Sequence, residues 1–342
     1  MNRSRRAVEM ELLLIGNRGG TNVGASFERA ALQLGHAVTV LEPRQAFAGP
    51  KWLQRYHWWV GGRRPARLAE FDAELRATVD RSPPTIAISV GISPPGRKVA
   101  GELRRRGVRL INYLTDDPWQ RRLRATWFIE ALWAYGTIFT TKRALVGDLQ
   151  AAGASQVKFL PFAYDPELHF PAEPVSSQRQ PLLTSDVFFA GGGDKDRFPF
   201  LRALIQAGFK VAIHGAYWDR DSVTKTVWRG HADPEQLRQA TTAARICLCL
   251  VRRANRDGHV MRTFEIAAMG GSILAEDTEE HREILGPDGE CAAFFRSERE
   301  MVDKAKWLLD HPGERSRLAQ AAHLRITGGQ NTYADRLRAM LA

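Results

Sequence analysis

Cysteine is scarce in this 342-residue chain: Cys247, Cys249 and Cys291 are its three thiols, and no two form a C-x-x-C pair. Such spacing supplies neither a structural zinc site nor a disulfide framework, so a reducing compartment is expected. Cys247 and Cys249 sit inside the apolar run 246–251, where thiols act as small core residues. Long hydrophobic runs are also missing. Residues 12–15 are too few for a signal-peptide core or a membrane span, and the longest apolar stretch, 127–139, is broken by Glu130 and Gly136. A cytoplasmic protein is expected. Acidic residues are short in one half only: residues 1–175 hold 25 Lys and Arg against 16 Asp and Glu, whereas residues 176–342 hold 24 against 22. Most of the formal net charge of +11 therefore lies in the first half. Such an excess attracts phosphates, acidic glycans, lipid surfaces or nucleic acid, or it is a solvated arginine-rich face.

What is present is one grammar used twice. Residues 11–16 read as a strand, followed by a glycine-bearing turn, a helix over 25–34 and a second strand over 37–41. Short apolar runs at 85–90, 109–114, 136–141 and 157–161 continue a parallel α/β sheet. The first turn, Gly19-Gly20-Thr21-Asn22, does not fit G-x-G-x-x-G, so dinucleotide binding is not indicated. Gly19, Gly20 and Thr21 still form a turn that admits a ligand near the backbone. The fourth strand delivers Asp116, Asp117 and Pro118 at its carboxyl end, where ligands of such sheets collect. Either aspartate suits a general base or a helix cap. Two adjacent aspartates are a weak metal signal, and no metal is expected.

Proline density after residue 161 and the polar run 176–181 mark a linker. The pattern then restarts, with strands at 186–191, 210–215, 246–251, 272–275 and 290–295 and helices at 198–207, 279–285, 299–309 and 313–326. Gly191, Gly192 and Gly193 close its first strand with Lys195 and Arg197 just beyond, a composition able to cradle phosphate. Residues 51–65 interleave Trp52, Tyr56, Trp58 and Trp59 with basic residues. The reading favoured here packs the aromatic side inward with arginines outside; the other docks the aromatics on a membrane or an acceptor.

The most charged stretch is 255–277. Phe264, Ile266, Ala267 and Met269 suit a short buried helix stopped by Gly270 and Gly271, and it opens with Arg262 and Glu265 one turn apart. Asp257 precedes Glu265 by eight residues, in a loop that also carries Arg256 and His259. A buried carboxylate must be paired or hydrogen-bonded. Glu265 can form an ion pair with Arg262 or Arg256, or accept hydrogen bonds from sugar hydroxyls while the arginines and the helix start hold a diphosphate.

The pattern R-x-F-E-I-x-A-x-G-x-x-x-L-x-x-D over 262–277 resembles the donor-binding segment of the CgeB-like glycosyltransferases, within the GT-B group related to glycosyltransferase families 1 and 4. The segments L-P-F-A-x-D-P-x-x-H before the linker and T-Y-x-x-R from Thr332 are similar to the family's interdomain crossing and closing helix. The likeness covers the second half from about Phe188 and the first half loosely. It implies a GT-B α/β fold, two Rossmann-like doubly wound parallel-sheet domains facing a cleft. Residues 1–175 would bind acceptor, residues 176–326 nucleotide sugar, and residues 327–342 would form a helix packing back on the first domain.

The implied activity is metal-independent transfer of a sugar, with retention if family 4 is the parent, from a nucleotide-diphosphate sugar. A UDP-sugar is expected, with no further cofactor. The acceptor would be an anionic or hydroxylated glycan, lipid or natural product. In this likeness Glu265 meets the ribose hydroxyls and Asp257, standing where Glu is usual, meets the sugar. Arg256, Arg262, Gly191, Gly192 and Gly193 meet the diphosphate, with Thr263, His214 and His259 beside the donor and His231 to Pro234 near the base. Asp116, Asp117 and Asp257 are the catalytic candidates, and peripheral membrane contact through 51–67 would join enzyme to acceptor. A nucleotide-sugar 2-epimerase of the same fold is the first alternative, carried by His214 and His259. A non-enzymatic module using the basic half on membrane or nucleic acid is the second, and nucleic acid is the less expected of the two partners.

Overall fold

The computed structural model describes residues 10–121, 123–173 and 184–342. The linker expected at 176–181 and the arginines at the chain start lie outside the described residues. The chain divides into two compact units. One runs up to Pro161 and also takes in Ala254–Arg256 and Tyr333–Ala342; the other comprises Phe162–Arg253 and Asp257–Thr332.

The first unit holds a six-stranded parallel sheet. Its strands are β1 (Glu11–Ile15), β2 (Ala37–Leu41), β3 (Ile86–Val90), β4 (Arg109–Leu114), β5 (Thr137–Thr140) and β6 (Val157–Phe159), in the order β2-β1-β3-β4-β5-β6. β1, β3, β4 and β5 are almost wholly buried, as befits a sheet covered on both faces. Leu12 aligns with Val38 on one side and Ile86 on the other. The core beneath one face is built from Leu13, Ile15, Leu75, Val99, Leu103 and Phe128, among others.

The Tyr333–Leu341 helix belongs to this unit and packs against the Val23–Gln33 helix, with Tyr333 edge-on to Phe27 at 5.2 Å. Arg336 Nε donates to the Pro161 carbonyl at 2.9 Å, and Arg109 donates to the carbonyls of Met340 and Leu341.

The second unit repeats the plan with five parallel strands: β7 (Ser185–Ala190), β8 (Val211–His214), β9 (Ala244–Cys249), β10 (Ile273–Glu276) and β11 (Ala293–Phe295). Their order is β11-β10-β9-β7-β8. In both sheets the second strand lies outside the first and the third on the first strand's other side. The direction of winding therefore reverses between β1 and β3, and again between β7 and β9. Such reversals open crevices at the carboxyl ends of the strands, where ligands bind. The last strand is shorter than the apolar run suggested, because Gly289 donates to the Ala292 carbonyl and a turn consumes its start.

The aromatic segment departs from the reading favoured above. Lys51–Trp59 is a helix, but Trp52, Tyr56, Trp58 and Trp59 are exposed, and only His57 of the helix is buried. The aromatics face outward together with the cations.

Candidate functional site

At the second unit's winding reversal, the residues after β9 lead into the Met261–Ala268 helix. Its apolar face, Phe264, Ile266, Ala267 and Ala268, is fully buried. It ends where Gly270 takes φ +76°, a left-handed conformation that suits glycine, and Gly271 N–H returns to the Ile266 carbonyl at 2.9 Å. This folding draws Glu265 inside: the residue is fully buried, and one carboxylate oxygen, Oε2, is bonded by Arg262 Nη1. Arg262 also reaches the Ala190 carbonyl at the end of β7, so one guanidinium joins strand end and helix. The other oxygen, Oε1, has no hydrogen bond among the described residues; His169 Nε2 lies 3.5 Å from it. His169 Nδ1 accepts from the Asp165 N–H at 3.0 Å, which places a neutral ring's proton on Nε2, facing the carboxylate. Glu265 is thus an enclosed carboxylate with one arginine, one histidine edge and acceptor capacity to spare.

The glycine turn after β7 is built tightly for a different reason from the one its composition suggests. Gly191 N–H donates to the His214 carbonyl and Gly193 N–H to the Ala216 carbonyl, which leaves neither to cradle phosphate. The glycines are required by crowding: a Cβ on Gly193 would stand 3.0 Å from Phe198 and from Trp218, and one on Gly191 would stand 3.0 Å from the Phe189 ring. A Cβ on Gly192 would meet only the Ala216 carbonyl oxygen, at 3.9 Å. Arg197 braces this turn from within. Its guanidinium is buried, donating to the Gly192 carbonyl at 3.0 Å and the Leu250 carbonyl at 2.8 Å, so it ties the ends of β7 and β9 together. Burial pushes its pKa down, against the pull of Asp194. Lys195, beside it, is exposed.

Asp257 is buried, with Arg252 donating to its Oδ2 from the backbone at 3.3 Å and from Nε at 3.1 Å. His259 has both ring nitrogens engaged: Nε2 accepts from Phe162 N–H at 3.1 Å, which leaves Nδ1 to donate to Glu280 at 2.6 Å. That geometry makes His259 a joint holding the loop. Thr263 likewise turns inward to His281 Nε2, 3.1 Å away. His214 stands half-buried at the end of β8; its Nδ1 has no hydrogen bond among the described residues, and burial lowers its pKa. Asp233 caps the Pro234–Ala243 helix through a capping box with Gln236, so its carboxylate is already engaged.

In the first unit, Asp117 is a buried linchpin. Its Oδ1 accepts from Trp119 N–H at 2.8 Å and its Oδ2 from Arg256 Nε at 2.7 Å, while Arg256 Nη1 also reaches Asp148 at 2.5 Å. Arg256 holds a left-handed φ of +51°, its guanidinium shared by two carboxylates. Asp116, next along, lines a pocket at the first winding reversal with Asn17, Asn22, Gly24, Arg44 and Ser93. Of the two aspartates, Asp116 is therefore the one that faces open space. Gly19 and Gly20 have left-handed φ values and open surroundings, and Thr21 is half-exposed beside them. The turn that matters for packing lies next to them: a Cβ on Gly24 would come within 2.8 Å of Asn17 backbone atoms, so glycine lets the helix start press on the strand end.

Sequence reasoning did not place Arg197 as a brace, His169 beside Glu265, or Glu280 and His281 behind the loop. The single available signal was His169, in the segment similar to the family's crossing. Among the described residues no group of three or more His, Cys, Asp and Glu is arranged to hold a metal ion.

Two similar parallel sheets with ligand-type crevices at their winding reversals define the GT-B fold, and solved structures with that fold superpose on nearly the whole chain. Sucrose-phosphate synthase from Thermosynechococcus elongatus matches with a TM-score of 0.68 at 13% identity, covering 97% of this chain and 98% of that one. Anabaena HepE in complex with UDP-glucose matches at 0.64 and 13% identity, covering 97% and 99%. A putative UDP-N-acetylglucosamine 2-epimerase from Listeria monocytogenes matches at 0.56 and 11% identity, covering 98% and 96%. At these identities the likeness is one of fold. Residues 197–342 match the model of the family described as glycosyl transferase-like, a span that contains Glu265 and the loop before it. No curated protein matches the sequence.

Proposed function

We propose that this protein is a glycosyltransferase related to the CgeB-like group, taking a sugar from a UDP-sugar bound to the second unit. The observation that carries the reading is Glu265, a fully buried carboxylate one helical turn from Arg262, whose Oε1 has no hydrogen bond among the described residues. Retaining an under-bonded carboxylate in a core costs several kcal/mol, on the order of the penalty for a buried ion, and a stability role alone is a poor return for it. In the proposed complex Arg262 turns from Glu265 toward the diphosphate, and ribose hydroxyls donate to the carboxylate it uncovers. Exposed Lys195 and the open Gly192 position supply further room and charge for the diphosphate. Asp257 would accept from the transferred sugar. Leaving-group charge is then met by cationic side chains and backbone dipoles, and no metal is assigned to that step. Retention of configuration follows if the family 4 parentage holds, and a hydroxyl of a glycan, lipid or natural product is the acceptor. A cytoplasmic location belongs to the same reading.

Thermal denaturation of the full chain with UDP and with GDP, each with and without EDTA, tests this. UDP should raise the melting temperature equally with and without chelator, and Glu265→Gln should lose the UDP shift while folding. Absence of any nucleotide-diphosphate shift, or a full shift in Glu265→Gln, would sink the assignment. The epimerase reading has one observation of its own, the Nδ1 of His214 at the end of β8, which has no hydrogen bond among the described residues. Incubation with UDP-sugars in the absence of acceptor separates the two, since an epimerase alone converts the sugar.

A further inference from the structure

We infer that the Lys51–Trp59 helix is a docking face for an anionic lipid bilayer. On this helix Trp52, Tyr56 and Trp59 recur at intervals of four and three residues, so they share one face, and they are 70%, 55% and 81% exposed. Lys51 and Arg55 flank them on the exposed side. The opposite side is anchored: His57 is buried, Leu53 is half-buried, Gln54 Nε2 donates to the Gly49 carbonyl at 2.9 Å, and the His57 carbonyl accepts from Arg63 N–H at 2.9 Å. The outward orientation is therefore held by the fold. Trp58 and Val60 are exposed beside the face, and the Arg63 guanidinium stacks on Trp58 at 4.6 Å.

Charge selects the occupant. No Asp or Glu occurs between Glu42 and Glu70, whereas Arg44, Lys51, Arg55, Arg63, Arg64 and Arg67 all do. A second copy of this chain would oppose that run with an identical one, which is unfavourable for a two-fold contact. Single-stranded nucleic acid is gripped by grooves whose walls offer stacking faces, whereas these indoles project from the convex side of a helix. Tryptophan and tyrosine with lysine and arginine on a short in-plane helix fit the headgroup boundary, where the ring is half in hydrocarbon and the cation meets lipid phosphate.

The test is sedimentation of the full chain with vesicles of phosphatidylcholine alone and of phosphatidylcholine mixed with phosphatidylglycerol, at low and high salt, with tryptophan emission recorded. Binding to the mixed vesicles alone, weakened by salt and accompanied by a blue shift, is expected. Trp52→Ser with Trp59→Ser, and separately Lys51→Glu with Arg55→Glu, should each lower binding about tenfold or more while keeping the wild-type melting temperature. The inference is overturned if neither vesicle binds or if both double variants bind like wild type. It is also overturned if the face proves to mediate self-association or oligonucleotide binding that the same variants abolish. It stands apart from the UDP assignment, since the vesicle test needs no nucleotide.

Discussion

His281 is enclosed on every side: Nδ1 donates to the Glu276 carbonyl at 2.7 Å, and Nε2 takes the Thr263 hydroxyl. Burial pushes its pKa down to about 4, outweighing the favourable carbonyl contact. The folded chain therefore holds this ring neutral while the unfolded chain protonates it near its usual value of about 6.5. Its contribution is fully present above the unfolded value and is lost as pH falls toward the folded one, to the extent of about 3 kcal/mol. Asp72 acts in the opposite sense. Its carboxyl is pushed up to about 6 by burial, so its share of stability is present at low pH and lost as pH rises through that value. Urea denaturation across this acid range isolates the histidine by difference: with the histidine's share removed, the midpoint of His281→Asn should rise relative to that of wild type as pH falls, and a difference between the two that does not change with pH would refute the account. None of this was legible in the sequence, because Thr263 and His281 meet only through the fold. Glu265 was legible because its neighbours along the chain carry a recognisable pattern. Its histidine neighbour, and the two aspartates that claim Arg256, come from distant parts of the sequence, and periodicity says nothing about such pairs.

At the scale of elements, the strands were readable from their positions because buried parallel strands are continuous apolar runs with sharp polar borders. The glycines were readable as turns but not as spacers. Gly16 and Gly24 show why: a Cβ on Gly16 would sit 2.9 Å from Gly24 Cα, so the end of β1 and the start of the Val23–Gln33 helix touch backbone to backbone. Gly24→Ala must drive the helix from the strand or distort the turn between them. We expect a loss of about 1–3 kcal/mol, measured by chemical denaturation, from overpacking of this kind. An alanine with wild-type stability would mean that the turn yields freely. The Lys51–Trp59 helix failed in the opposite way. Its composition fits an inward aromatic face as well as an outward one, and only the burial of His57 and Leu53 decides which.

At the scale of the molecule, chain order and structural unit part company. The first unit ends its continuous stretch at Pro161 yet is completed by Tyr333–Ala342, whose helix covers the Val23–Gln33 helix. Tyr333 and Leu337 are buried there, and so is Arg336, whose pKa is lowered by the same burial. The Pro161 carbonyl is held by Arg336 and also by the Tyr113 hydroxyl at 2.9 Å, so the last helix locks the end of the unit's own continuous chain. Removing residues 333–342 would expose Phe27 and leave that carbonyl one donor short, while every strand of the second unit keeps its neighbours. The expected outcome is selective: hydrogen exchange should quicken in β1, β4 and the Val23–Gln33 helix, with β7, β9 and β10 protected as before. Uniform loosening of both sheets would show instead that the chain unfolds as one cooperative body. A truncated chain exchanging like wild type would show that the closing helix adds nothing to the unit it completes.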